Sequence, residues 1–158
     1  MATNLFRIAR PALAGLVAAA AFAIGCSGGP TLYSVEGTVY LDGNPVQTGE
    51  TVTGYVVLHA DTARGNTNME DTKADIGPDG RFIVYTRDKK GAPPGWYFVT
   101  VDLARTNPKD PYDYKAMVSE KYLDKKKSGL EFEVVPSPAK DRYDIRLESI
   151  GSKEKKGK

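Results

Sequence analysis

Between residues 33 and 148 no long stretch keeps helical periodicity. Instead, apolar and polar residues alternate over short runs separated by Gly, Pro, Asn and Asp. Tyr33, Val35, Val39 and Leu41 fall on one side of the first run, and Ser34, Glu36 and Thr38 on the other. Asp42-Gly43-Asn44-Pro45 closes that run as a turn. Residues 54–60 are more continuously apolar and predict an inner strand, followed by a polar surface loop over 61–71. Residues 72–76 lead through the hairpin signal Gly77-Pro78-Asp79-Gly80 into a strand over 81–86. A loop over 87–95, with Lys89, Lys90, Pro93 and Pro94, precedes residues 96–103, where Tyr97, Val99, Val101 and Leu103 share a face. Late in the chain, Leu130, Phe132 and Val134 oppose Glu131 and Glu133. Tyr143, Ile145 and Leu147 oppose Arg142, Asp144 and Arg146, and Pro136 and Pro138 break the chain between the two runs.

Seven short strands at this spacing predict an all-β fold, a seven-stranded antiparallel β-sandwich over residues 33–148. An up-and-down barrel is the main alternative. Residues 104–115 are polar and rich in Asn, Pro, Asp and Tyr, which predicts an excursion outside the sheet. Helical character is confined to 116–124, where Ser119-Glu120-Lys121-Tyr122 suits one turn with Met117, Tyr122 and Leu123 packed inward. The last residues carry Lys153, Lys155, Lys156 and Lys158 and nothing apolar after Ile150, so 149–158 reads as a disordered basic tail.

The start of the chain has a different pattern. Arg7 and Arg10 precede an uncharged apolar run over 11–24, the basic and hydrophobic regions of a secretory signal over residues 1–25, in helical form. That run falls short of the roughly 20 residues a spanning helix needs. Ala23-Ile24-Gly25-Cys26 resembles the bacterial lipobox, with Ala23 where that motif usually has Leu. The resemblance implies a diacylglycerol on the Cys26 thiol, cleavage before it and acylation of the new amino terminus. Cys26 is the only cysteine, and a lone exported thiol would otherwise be free and reactive. Each buried methylene adds about 0.8 kcal/mol, so two or more chains hold firmly. Residues 26–32, with Ser27-Gly28-Gly29-Pro30, then form a flexible tether. Ser27 stands where inner-membrane lipoproteins often have Asp, so the same resemblance favours the outer membrane of the cell envelope.

Composition narrows the chemistry. The chain has 158 residues, 22 Lys+Arg against 20 Asp+Glu, and a formal charge of +2. This is too weak for a nucleic-acid binder held by phosphate contacts. One cysteine and one histidine exclude an internal disulfide framework, a cysteine zinc site and a histidine-rich metal site. Neither a Gly-x-Ser-x-Gly elbow nor a phosphate loop is present, and no cofactor is implied. His59, near the end of the inner strand, reads as a packed, hydrogen-bonded residue. Asp75 and Asp79 flank a turn without EF-hand spacing and read as turn caps rather than calcium ligands. Glu131 and Glu133 read as a solvated strand face. Two features suggest binding. Tyr112, Tyr114 and Tyr122 with Arg105, Asn107 and Asp113 suit contacts to a sugar or peptide, unless the tyrosines only cover the edge of the sandwich. The lysine-rich tail suits acidic polysaccharide or lipid headgroups, unless it only solubilises.

A series of motifs then adds up. After the lipobox come Val35-Glu36-Gly37-Thr38-Val39, Leu41-Asp42-Gly43-Asn44-Pro45-Val46 and Gly77-Pro78-Asp79-Gly80-Arg81-Phe82. Gly91-Ala92-Pro93-Pro94-Gly95-Trp96-Tyr97, Val99-Thr100-Val101, Glu120-Lys121-Tyr122 and Ser128-Gly129-Leu130 follow. In order and spacing the chain resembles bacterial lipoproteins, numerous in Planctomycetes, with a carboxypeptidase-regulatory-like, transthyretin-like domain. The resemblance implies a prealbumin-like sandwich and little about activity. Gly37 inside a strand also predicts a bulge or close backbone approach, and Gly80 a turn position with positive φ. The same fold serves hydroxyisourate hydrolases, which use several histidines and a C-terminal Tyr-Arg-Gly-Ser; Ile150-Gly151-Ser152 and a single histidine do not match them. The expectation is therefore a non-enzymatic protein, lipid-anchored through Cys26, with a structural or adhesive role at the envelope. A carbohydrate- or protein-binding accessory module is the alternative, and a hydrolase ranks third.

Overall fold

The computed structural model describes residues 29–151. The signal segment, Cys26 and the lysines of the tail lie outside the described residues. The described residues form eleven strands: β1 (Glu36–Leu41), β2 (Asn44–Pro45), β3 (Val52–Ala60), β4 (Thr72–Asp75), β5 (Arg81–Ile83), β6 (Tyr85–Thr86), β7 (Lys89–Lys90), β8 (Gly95–Asn107), β9 (Asp110–Ala116), β10 (Glu131–Val134) and β11 (Ile145–Leu147). The fold is all-β, and no described helix is long and apolar enough to cross a membrane.

The strands form two open sheets and a small ribbon. In one sheet β1 is central, antiparallel to β2 and β5 and parallel to β11. In the other the order is β10-β8-β3-β4, all antiparallel, with β9 also on β8. The ribbon pairs β6 with β7. Both sheets turn one face into a single apolar cluster. Val35, Val39, Phe82, Tyr143, Ile145 and Leu147 come from the first; Val56, Leu58, Tyr97, Val99, Val101, Leu103, Phe132 and Val134 come from the second. Phe82 stacks on Phe132 at 6.5 Å and Phe132 meets Tyr143 edge-on at 5.2 Å. Such pairs add about 0.5–1.5 kcal/mol each beyond burial.

Most expected strands occur where alternation put them, but five details differ. The run over 81–86 breaks at Val84, and its end pairs with β7 inside the expected 87–95 loop. β1 and β11 run parallel because they are joined through the whole chain, so no hairpin dictates their direction. Residues 104–115 do not leave the sheet: β8 continues to Asn107 and returns as β9. This hairpin extends beyond the core, so neither of its faces needs apolar residues. The expected helical turn is a short 3-10 turn, Glu120–Leu123. It buries Tyr122 at 4% exposure but leaves Leu123 at 51%, since one turn cannot aim neighbouring side chains at the same core. At the other end, Ser149 bridges to Val118 and its N–H donates to Asp42 Oδ1 at 3.1 Å, so the expected tail starts with two held residues, Ile150 included.

Two glycines show why the backbone requires them. Gly80 has φ +81 and its N–H donates to Gly77 O at 2.9 Å, closing the β4–β5 turn. At Gly37 a Cβ would sit 2.4 Å from the carbonyl oxygen of Tyr143, the close approach expected from the sequence. Gly37→Ala must therefore push β1 and the residue 143 carbonyl apart, at a cost of about 2 kcal/mol. We expect its urea midpoint to fall clearly. An unchanged midpoint would show that the approach is slack.

Candidate functional site

β8 organises the outer surface of the larger sheet. Tyr97, Val99, Val101 and Leu103 face the core, so Trp96, Phe98, Thr100 and Asp102 face outward by strand alternation. β3 pairs along 97–105, β10 along 95–98 and β9 along 104–107.

Near the start of β8 the outward aromatics are covered. Arg64 lies over Trp96 at 4.2 Å and over Phe98 at 5.7 Å. Its guanidinium donates to Asp61 and, at 3.0 Å, to Glu131. Asp61 is buried and caps the 3-10 turn Thr62–Arg64 by accepting from the N–H groups of Ala63 and Arg64. The hydrogen bond from the Arg64 guanidinium, the largest influence, holds the Asp61 carboxyl below the usual carboxylate range, and Arg64 rises correspondingly. Asn66 Nδ2 donates to Trp96 O at 2.7 Å and fastens the same loop. This surface therefore offers no free aromatic platform for a sugar ring. Glu131 and Glu133 are not a carboxylate pair. The first belongs to Arg64, and the second accepts from Arg142 at 3.0 Å.

Next along β8, near the end of β3, stands His59. Its Nδ1 lies 2.8 Å from Asp71 Oδ2 and its Nε2 lies 2.9 Å from Thr100 Oγ1. A neutral ring with its proton on Nδ1 would donate to Asp71 and accept from the threonine hydroxyl, the connectivity of a carboxylate–imidazole–hydroxyl triad. Connectivity is not access, however. Thr100 is 7% exposed on the outer face of β8, under the His59 ring, so a carbonyl carbon cannot reach Oγ1 without displacing that cover. The three residues instead fasten the end of the 61–71 loop to the two central strands, as the packed, hydrogen-bonded reading of His59 expects. Beside them Tyr55 donates to Asp102 Oδ2 at 2.9 Å, under Lys73, whose Nζ lies 3.6 Å from the ring centre. The hydrogen bond to Asp102, ahead of burial, pushes the Tyr55 hydroxyl up.

At the far end of β8 the surface opens. Tyr112 is 91% exposed and Tyr114 66% exposed on β9, and Arg105 is exposed on β8. Thr106 is paired with Tyr114, and Arg105 with Lys115, so Tyr114 and Arg105 lie on opposite faces of the hairpin. The tip is held by its own side chains. Asn107 accepts from the N–H of Lys109 at 3.0 Å and donates to Asp113 at 3.2 Å, and Asp110 accepts from the N–H of Tyr112 at 3.0 Å. The sequence grouped six residues here, and the structure takes Tyr122 away from the hairpin that carries the other five. Tyr122 belongs to the core, with its hydroxyl 3.4 Å from the Glu148 N–H, because its ring fills the end of the cluster under the 3-10 turn. Lys115 was missed, since seeing it opposite Arg105 requires knowing that residues 110–116 form a strand. The alternation of Tyr112, Tyr114 and Ala116 after Asn107-Pro108 was the available signal.

The remaining candidates are ordinary. Asp79 accepts from the Arg81 N–H at 3.1 Å as a turn cap, and Asp75 lies exposed on β4. Among the described residues no group of His, Cys, Asp and Glu is placed to hold a metal ion. The first described residues sit at the opposite end from the hairpin. Tyr33 bridges Ala92, and Gly29, Pro30 and Leu32 share a cleft with Met69, Arg87 and Pro93, just before β8 begins. With about 3.3 Å per residue, β8 then carries the chain roughly 40 Å to Asn107. No protein-family model, curated protein or solved structure matches the chain.

Two outcomes test this geometry. Unfolded aspartate takes its proton near pH 3.9 and folded Asp61 only at lower pH. Between those values the unfolded chain binds more protons, so stability held at neutral pH is lost as pH falls through that window. We expect Tm to drop below about pH 4 and Asp61→Asn to flatten part of that drop. An unaltered acid limb would contradict the assignment. His59→Ala should cost about 1 kcal/mol and speed amide exchange in 61–71 while the strands of the core keep their protection.

Proposed function

We propose that the protein is an exported, lipid-anchored β-sandwich of transthyretin-like architecture, held at the cell envelope through Cys26. Its role is structural or adhesive and non-catalytic, with the β8–β9 hairpin gripping an envelope polysaccharide or protein. One observation carries this reading: β8 runs on past the core and returns as β9, which carries two exposed tyrosines at the end of β8 opposite Gly29. A lipid on Cys26 stands only three residues from Gly29, on the order of 10 Å of extended chain. That tether keeps one end of the domain near the bilayer and leaves the other end to reach outward. Two sheets facing one core favour the sandwich over a barrel. The lipobox resemblance favours the outer membrane. The hydrolase reading has the His59 constellation in its favour, and the burial of Thr100 weighs against it.

Cys26→Ala should move the protein from the membrane fraction to the soluble fraction and abolish acyl labelling. Unchanged retention would reject the anchor. With the anchor intact, Tyr112→Ala combined with Tyr114→Ala should lower recovery of cross-linked envelope material at least fivefold without shifting Tm. Equal recovery would reject the hairpin as the contact.

A further inference from the structure

The hairpin contains a local conflict. Arg105 and Lys115 are directly opposite each other on β8 and β9, exposed, on one face. Neither side chain has an ion-pair or hydrogen-bond partner among the described residues. Like charges in a cross-strand pair destabilise a hairpin, and this one has no core beneath it to compensate. The same face forms a shallow cleft of about 320 Å³, where Arg105 and Lys115 stand with Thr51, Asn107 and Asp113. Asp113 is occupied by Asn107 rather than by either cation. Two converging cations with hydroxyl and amide groups beside them suit a carboxylate on a polyhydroxylated ligand: Arg105 offers a planar fork, Lys115 a point charge, and the others bond hydroxyls.

We propose that this face of the hairpin binds an acidic polysaccharide, with Arg105 and Lys115 on the carboxylate of a uronic acid unit. The inference rests on the adhesive reading above and names the class of ligand. An anionic lipid surface is disfavoured because the pair stands roughly 33 Å along β8 from the end next to the tether. An acidic peptide would supply the charge, but it has fewer hydroxyls for Thr51 and the second amide hydrogen of Asn107 to bond.

The test uses the full chain and polygalacturonate as the probe, with neutral dextran and polyglutamate beside it, by affinity electrophoresis at low salt. We expect retardation by polygalacturonate alone, weakening as salt rises. Arg105→Gln with Lys115→Gln should weaken it at least tenfold. Arg105→Gln alone should also raise Tm by about 1–3 °C without ligand, since it removes the repulsion. That rise is a readout a purely structural arginine would not give. Equal retardation of the double variant would overturn the inference and assign the affinity to other cations, such as the lysine tail. Equal retardation by polyglutamate would overturn the saccharide class. No retardation of the wild type would overturn it as well. If the Tyr112 and Tyr114 variant still loses envelope material, the adhesive reading survives that failure; if not, both fall.

Discussion

The pairing of β8 with three other strands is the constraint on which the rest of the structure depends. Thirteen residues in one unbroken strand bind β3 along one edge, then β10 and β9 in succession along the other. Their alternation divides two tasks between two faces. The inward row, Tyr97 to Leu103, supplies the centre of the larger sheet's core. The outward row receives Arg64, His59 and Tyr55, which fix the loops and neighbouring strands to the sheet. Breaking β8 would loosen the core and the outer surface together.

The outer surface is closed by contacts that are individually small. An exposed cation–π contact is worth about 0.5–1 kcal/mol and an exposed ion pair about 0–1. Their effect is exclusion as much as stability. Arg64, held by two carboxylates, occupies the space over Trp96 and Phe98 that a ligand would need. The Thr100 hydroxyl is likewise committed to His59 and covered by it. Beyond residue 104 this covering stops, and the exposed tyrosines and unpaired cations gather on the hairpin. A surface closed over most of its length and open at one end suits the adhesive role proposed above, because binding there would not disturb the sheet.

How much of this was legible in the sequence depended on burial. Where one face is buried, alternation marks it, and so Val35 and Val39, the Tyr97 to Leu103 row, and Phe132 and Val134 were readable. Gly37 and Gly80 were readable too, since a side chain would collide at one and the φ is wrong at the other. β9 was not, because an edge strand beyond the core has no apolar face. Tyr122 was read two ways, as packed inward from its turn and as a member of the binding group; the inward reading holds, because its ring is core and its hydroxyl accepts from the Glu148 N–H. The parallel β1–β11 pair, the Arg64 cover and the His59 contacts join residues far apart in sequence, and no local pattern encodes them.

The central claim is that one end of the domain is held at a membrane while the hairpin stands away from it. Because Cys26 is the only cysteine and carries the lipid in this account, Tyr112→Cys and Met69→Cys each place a unique thiol for a fluorescent label. Quenching of these labels by spin-labelled lipid headgroups in vesicles carrying the acylated protein measures their height directly. The account predicts strong quenching at residue 69 and almost none at residue 112, roughly 40 Å farther along the fold. Equal quenching at both positions would contradict it.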